Sequence, residues 1–342
     1  MRAVVLEQHG GPEVLTLRDV PEPVPPPGWV KVRVRACALN HLDLWARRGL
    51  PGVRYPLPLI LGNDVAGEVA EPGPGVQGIE PGAAVVLAPG VSCGRCEACA
   101  LGDDNFCRQY QVLGNGLNGG YAEYVVVPAA NLLPKPSRLS WAEAAALPLV
   151  FLTAWHMLVH KAGVRPGEDV LVLAAGSGVG VAGIQIAKLF GARVLAAAST
   201  DEKLAKAKAL GADHGINYAT HDFAAEVRRL TDKKGVEIVF EHTGQDTWAK
   251  SILAVARGGR IVTCGATSGY EAMTDLRHVF SRQIRILGSY MGRRAEMFEV
   301  LRWVERGRLV PVVDRVLPLA QAAEAHRVLE AREAFGKVVL EI

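Results

Sequence analysis

The 342-residue sequence predicts an α/β protein of two domains: a doubly wound parallel sheet in the second half of the chain, preceded by a turn-rich antiparallel β domain. Three observations carry this expectation. The period of the apolar residues changes near residue 150, an apolar strand runs into a glycine-rich turn at 169–183, and four of the six cysteines crowd into residues 93–107. The chain is long for one core and comfortable for two.

In the first half, Val30, Val32, Val34 and Ala36 alternate with Lys31, Arg33 and Arg35, the period of a half-buried strand. Pro25-Pro26-Pro27-Gly28 before it, and frequent Gly and Pro up to residue 90, predict short antiparallel strands joined by turns. From Asp169 apolar strands alternate with amphipathic helices. Strands are expected at 169–175, 193–198, 214–216, 236–240, 260–264 and 284–290, with helices at 179–190, 202–210, 222–231 and 247–256. Such alternation builds a parallel sheet covered on both faces. The tail reverts to helical patterns at 294–306 and 319–331 and a last strand, Lys337 to Ile342, which is expected to return to the first domain. The expected boundaries are 1–152, 153–291 and 292–342, with a cysteine lobe at about 90–110.

Composition narrows the partners. Hydrophobic residues make up 49% and charged residues 21%, and the net charge is +3 with 38 basic against 35 acidic residues and no basic stripe. That balance argues against nucleic-acid and membrane-surface binding and leaves a small molecule. No apolar run approaches the roughly 18 residues of a membrane span, and the N-terminus opens into a strand-like run instead of a signal core. The expected location is cytoplasmic, where clustered cysteines indicate metal ligation over disulfides.

The segment Asp169 to Gly183 contains Gly176-Ser177-Gly178-Val179-Gly180 between a strand and a helix. Glycines there permit a tight turn and close backbone approach, and the helix N-terminus offers amides to a pyrophosphate. The following strand at 193–198 completes the context of a dinucleotide-binding Rossmann unit. An acidic residue at the tip of that second strand would bind an unphosphorylated ribose, but the tip reads Ala198-Ser199-Thr200. Ser199 and Lys203 offer a hydroxyl and a cation suited to a 2′-phosphate, which favours NADP. Asp201 keeps NAD open, and a plain N-cap serine with a solvated lysine is the bland alternative.

Cys93, Cys96, Cys99 and Cys107 offer four thiolates in one irregular segment. Four sulfurs close a tetrahedral zinc shell with no open position, so one structural zinc is expected, with free surface thiols as the alternative.

Together these segments resemble the medium-chain dehydrogenase/reductase superfamily. The residues that carry the resemblance are Gly62-Asn63-Asp64-Val65-Ala66-Gly67-Glu68-Val69, the cysteine lobe, Gly119-Gly120-Tyr121-Ala122-Glu123-Tyr124, Leu152-Thr153-Ala154, the glycine-rich turn and Gly258-Gly259-Arg260. The resemblance implies a GroES-like catalytic domain completed by the C-terminal segment, with the active cleft between it and the Rossmann domain. Alcohol dehydrogenases of the superfamily hold a catalytic zinc through Cys, His and Cys. The matching positions here are Asn40, Asn63 and Leu149, and the proton-relay histidine position is Trp45. A relocated metal site on Cys37, His41 and Asp64 is an alternative. Leu39-Asn40-His41-Leu42-Asp43 is similar to a quinone-reductase pattern, and the stretches 241–244 and 264–270 are similar to those of NADPH-dependent enoyl-thioester reductases.

The resemblance adds cofactor contacts at Thr153, Thr243, Gly265, Ala266 and Tyr290, and NADP contacts at Ser199, Lys203, Tyr218 and Arg332. The function it implies is NADPH-dependent reduction of a quinone, enone or enoyl-type substrate without a catalytic zinc. Asn40 and Asn63 are the candidate polar contacts in the vacated metal position, and Asp43 is expected to pair with Lys337. An alcohol or aldehyde oxidoreductase using NAD(P) and a non-catalytic NADPH-binding redox sensor are the alternatives. A homodimer or homotetramer joined through the apolar strand at 284–290 is expected.

Overall fold

The computed structural model describes residues 1–342. No helix in it is long and apolar enough to cross a membrane. The chain divides into two compact units. The first comprises Met1–Leu149, Arg293–Glu305 and Val310–Ile342; the second comprises Val150–Gly292 with Arg306–Leu309.

The first unit is built on the strand Trp29–Ala38, which pairs antiparallel with Asp64–Pro72, Tyr124–Pro128 and Lys337–Glu341. Its alternation follows the pleat: Val30, Val32, Val34 and Ala36 enter the core, while Lys31 and Arg35 pair with acidic residues on neighbouring segments. The terminal strand inserts next to the central one, in the register Leu340 opposite Cys37. On its other side lies a parallel strand, Val313–Pro318, that the sequence did not predict. This edge strand is half-exposed and mixes Asp and Arg with apolar residues, so it has no clean alternation. The helix His41–Arg48 leaves the end of the central strand directly.

The second unit is a six-stranded parallel sheet in the order His214–Asn217, Arg193–Ala198, Asp169–Val172, Val236–Glu241, Val255–Thr263, Arg285–Gly288. The sequence runs outward from Asp169–Val172 to one edge, then returns to its other side. That reversal between Asp169–Val172 and Val236–Glu241 is the topological switch point of a doubly wound sheet. Three strands differ from expectation by two residues or more, and the helix expected at 247–256 runs Gln245–Ala254. The first strand stops at Val172, because Leu173 to Ser177 form the turn. The fifth begins at Val255, ahead of a bulge opposite Val236 to Ile238. The sixth is only Arg285–Gly288, although apolar residues continue past it.

Candidate functional site

The dinucleotide turn is built by local sterics. Ala174 adopts φ 42, in the left-handed region that non-glycine residues rarely occupy, and turns the chain from strand to helix. Ser177 caps the helix Gly178–Leu189, its Oγ accepting from the Gly180 amide at 3.0 Å. The preceding amides, of Gly178 and Val179, lie in the first helical turn, where no intrahelical acceptor exists. A Cβ on Gly180 would sit 2.5 Å from the Ala174 carbonyl oxygen, and one on Gly183 would sit 3.0 Å from the Phe240 ring. Only glycine lets this helix end approach the turn and the sheet so closely. These features fit a pyrophosphate held on backbone amides.

At the tip of the second strand the side chains are arranged differently from the sequence reading. Thr200, not Ser199, caps the helix Asp201–Ala209 by accepting from the Lys203 amide. Asp201 accepts from Asn217 Nδ2 at 2.8 Å. Ser199 is therefore not the cap, and the Asp201 carboxylate already has a partner. Tyr218 is partly exposed, its amide bonded to the Ala198 carbonyl, which brings it to the same strand end.

The other expected cofactor residues fall at strand ends or nearby. Thr243 follows Val236–Glu241, and its Oγ is buried without a partner, an unpaired group that fits a ligand contact. Gly265 accepts from Thr263 Oγ at 3.2 Å, and Ala266 packs against Gly244. Tyr290 follows the sixth strand and is exposed. Thr153 is buried in the helix Pro148–Trp155. Arg332 belongs to the first unit, exposed just after the helix Ala322–Glu330 with φ 57. His242 bonds the Leu173 carbonyl at 2.9 Å and stacks edge-on against Phe240, and burial pushes its pKa down to about 4, so it packs as a neutral side chain.

In the first unit, Asn40, Asp64 and Lys337 form a buried polar centre. Lys337 Nζ donates to Asn40 Oδ1 at 2.6 Å and to Asp64 Oδ2 at 2.9 Å. Asn40 Nδ2 donates to Asp64 Oδ2 at 2.9 Å, and the Leu149 amide donates to Asp64 Oδ1 at 2.7 Å. The expected Asp43–Lys337 pair is thus replaced by Asp64–Lys337. Asp43 sits at the third position of the helix His41–Arg48, and its carboxylate accepts instead from the amides of Asn40 at 2.7 Å and Gly62 at 2.9 Å. Burial pushes its pKa up to about 7.

Asn40 has both amide atoms engaged. Asn63 does not: Nδ2 donates to the Leu113 carbonyl, which fixes the amide's orientation, and Oδ1 is buried without a partner. Cys37 is wholly buried, its thiol pushed well above the usual range by burial and by Asp43 and Asp64. Cys37, His41 and Asp64 do not form a convergent ligand set. Sequence reasoning missed Asp64 and Lys337 as the centre's ion pair. The available signal was a lone lysine opening an otherwise apolar strand.

The ligand atoms of Cys93, Cys96, Cys99 and Cys107 lie within 4.8 Å of one another. The Cys96–Cys99 and Cys93–Cys99 sulfur separations are 3.5 and 3.9 Å, close to the ~3.8 Å edge of a tetrahedron with ~2.3 Å zinc–sulfur bonds. The amides of Cys93 and Gln109 point at Cys107 Sγ, each at 3.4 Å, as suits a thiolate. The set fits a structural zinc with no open position.

A two-unit chain with a doubly wound dinucleotide sheet and a β-rich unit bearing a four-cysteine lobe defines an oxidoreductase architecture. Residues 26–137 match the alcohol dehydrogenase GroES-like domain and residues 178–306 the zinc-binding dehydrogenase family. The chain is 33% identical over 349 residues to an NAD-dependent alcohol dehydrogenase of Saccharolobus solfataricus, with 99% of each chain covered. It is 29% identical to the human quinone oxidoreductase, covering 99% of this chain and 97% of that one. Among solved structures, an NAD-dependent alcohol dehydrogenase superposes with TM-score 0.97 at 58% identity, both chains covered in full. A crotonyl-CoA carboxylase/reductase in complex with NADP superposes with TM-score 0.92 at 29% identity, covering 100% of this chain and 94% of that one. The protein belongs to the medium-chain dehydrogenase/reductase superfamily and is an oxidoreductase of that group.

Proposed function

We propose that this protein catalyses NADPH-dependent reduction of a carbon–carbon double bond conjugated to a carbonyl, as in an enone, quinone or enoyl compound, and does so without a catalytic zinc. The observation that carries the reading is the donor set. At the positions matching the three zinc ligands stand Asn40, whose amide is bonded to Asp64 and Lys337; Asn63, which offers one carbonyl oxygen; and Leu149, which offers only a backbone amide already given to Asp64. Such a set has no thiolate or imidazole for zinc.

Bound NADPH supplies a hydride to the β-carbon, and the resulting enolate needs one proton. The helix end at Gly178–Gly180 holds the pyrophosphate, and the unpaired Thr243 hydroxyl contacts the bound dinucleotide. Asn63 Oδ1, an acceptor without a donor, orients a water or hydroxyl as proton carrier. Ser199 and Lys203, with Tyr218 beside them, select the 2′-phosphate, and the similarity to an NADP-bound reductase supports this choice. One structural zinc per chain occupies the four-cysteine lobe. The exposed edge strand Arg285–Gly288 pairs with a second copy, in a unit that also exposes Met273 (89%) and Phe280 (71%).

A second reading, alcohol oxidation with NAD, is favoured by the names of the relatives at 33% and 58% identity. A steady-state panel separates the two. NADPH and NADH are each tested with quinones, enones, enoyl thioesters, aldehydes and alcohols, before and after chelation. Chelator-insensitive enone or quinone reduction with NADPH supports the proposal. Chelator-sensitive alcohol oxidation with NAD overturns it.

A further inference from the structure

Two loops at the carboxyl ends of neighbouring strands are stitched together around Thr243. One runs from Glu241 to Gly244, between the strand Val236–Glu241 and the helix Gln245–Ala254. The other, Cys264 to Gly269, follows the strand Val255–Thr263. Val236–Glu241 lies beside Asp169–Val172, so the first loop stands at the switch point of the sheet.

Glu241 is wholly buried, and no cation pairs with it. Its carboxylate turns back over its own chain. Oε2 accepts from the amides of Thr243 at 3.2 Å and Gly244 at 3.0 Å, and Oε1 accepts from the Thr247 hydroxyl. The next amides are taken as well: Gln245 donates to the Gly269 carbonyl at 3.0 Å, and Asp246 donates to Ser268 Oγ at 3.0 Å. The Glu241 carboxylate thus occupies, at this helix end, the place an anion would take. A buried carboxylate is costly without donors, so it and the two amides fix one another.

The other side of Thr243 is held too. Its carbonyl accepts from the Ser268 amide and from Ser268 Oγ, each at 2.8 Å. Gly244 closes the turn at φ 92, and a Cβ there would lie 2.6 Å from the Gly269 carbonyl oxygen. With both peptide groups of Thr243 pinned, its side chain keeps only its χ1 rotamers. Its Oγ is buried with no partner.

We propose that Glu241 is a positioning residue for the dinucleotide: by holding the Thr243 and Gly244 amides it fixes the backbone from which the Thr243 hydroxyl reaches the bound cofactor. Ser268 braces the same residue from the opposite side. The inference rests on the reading that Thr243 contacts the dinucleotide, and it is independent of which substrate is reduced.

The test is a fluorescence titration of the zinc-loaded protein with NADPH, run as a double-variant cycle on Glu241 and Thr243. Thr243→Val keeps the shape and removes the hydroxyl, so Kd rises about fivefold to tenfold. Glu241→Leu removes both acceptor oxygens and raises Kd by a similar factor. Because Glu241 acts through Thr243, Glu241→Leu adds less than about twofold in the Thr243→Val background. Glu241→Gln stays within about twofold of wild type. Its amide oxygen accepts from the two backbone amides, and its nitrogen donates to Thr247 Oγ, which turns its own proton to the Gly244 carbonyl 3.2 Å away. Glu241→Asp, one methylene too short to reach both amides, gives a smaller rise of the same kind and replaces Glu241→Leu in the cycle if that variant does not fold. Losses that multiply in the cycle mark a carboxylate that only supports the fold and overturn the proposal. So does wild-type affinity in Thr243→Val, or a Glu241→Gln protein that binds as weakly as Glu241→Leu. The expected cycle in a protein that reduces none of the substrates in the panel supports the positioning role and removes the reductase reading.

Discussion

Replacing Lys337 with methionine isolates one charge in the buried centre. The lysine is 4% exposed and Asp64 is 0% exposed, so neither can turn to solvent. In the wild-type protein the Asp64 carboxylate receives three donors: Lys337 Nζ, Asn40 Nδ2 and the Leu149 amide. Methionine fills similar volume but removes the cation, leaving a buried carboxylate with two neutral donors. Breaking one partner of a buried pair costs about 3–5 kcal/mol. A loss of about 4 kcal/mol in a unit of this size lowers its unfolding midpoint by roughly 8–16 °C.

An uncompensated buried carboxylate escapes its penalty by taking up a proton. The difference between variant and wild type therefore shrinks as the pH is lowered. The measurement is calorimetry of Lys337→Met, Asp64→Asn and the double variant, with Asp43→Asn and its double as the control cycle. Asp64→Asn in the Lys337→Met background recovers most of the loss, while Asp43→Asn recovers little. A loss below about 1 kcal/mol, or stronger coupling to Asp43 than to Asp64, refutes the assignment.

Gly180→Val places a side chain 2.5 Å from the Ala174 carbonyl, backbone that cannot yield, so dinucleotide affinity measured by fluorescence titration falls at least about tenfold while zinc content stays unchanged. Lys203→Ala raises the dissociation constant for NADPH by about tenfold and leaves that for NADH within about twofold; equal effects on both cofactors argue against a 2′-phosphate contact. Elemental analysis of the purified protein finds one zinc per chain, and Cys107→Ser lowers that content and the midpoint of the first unit. Two zinc ions per chain revive the alternative of a second metal site.

Much of this molecule could be read from its sequence. The alternation at residues 30–36, the strand–turn–helix at 169–183 and the cysteine spacing at 93–107 are local patterns. Each records a constraint that neighbouring residues impose on one another: the pleat of a strand, the turn before a helix N-terminus, the reach of short thiol side chains around one ion. Edges were harder to read. The strand Val313–Pro318 escaped notice because an edge strand buries too little to impose a pattern, and the Rossmann strands ended early or late where turns and a bulge took over.

The cysteine lobe and the dinucleotide turn were thus determined by the sequence alone, since their thiols and amides lie close together along the chain. The polar centre was decided only in three dimensions. Asp64 and Lys337 are 273 residues apart. The sequence pointed to Asp43 as the partner of Lys337. The strand register and the amides at the start of the helix His41–Arg48 claimed it instead, leaving the lysine to Asp64. A buried ion chooses its partner by distance and by which competing donors are already satisfied, and neither quantity exists until the strands have paired.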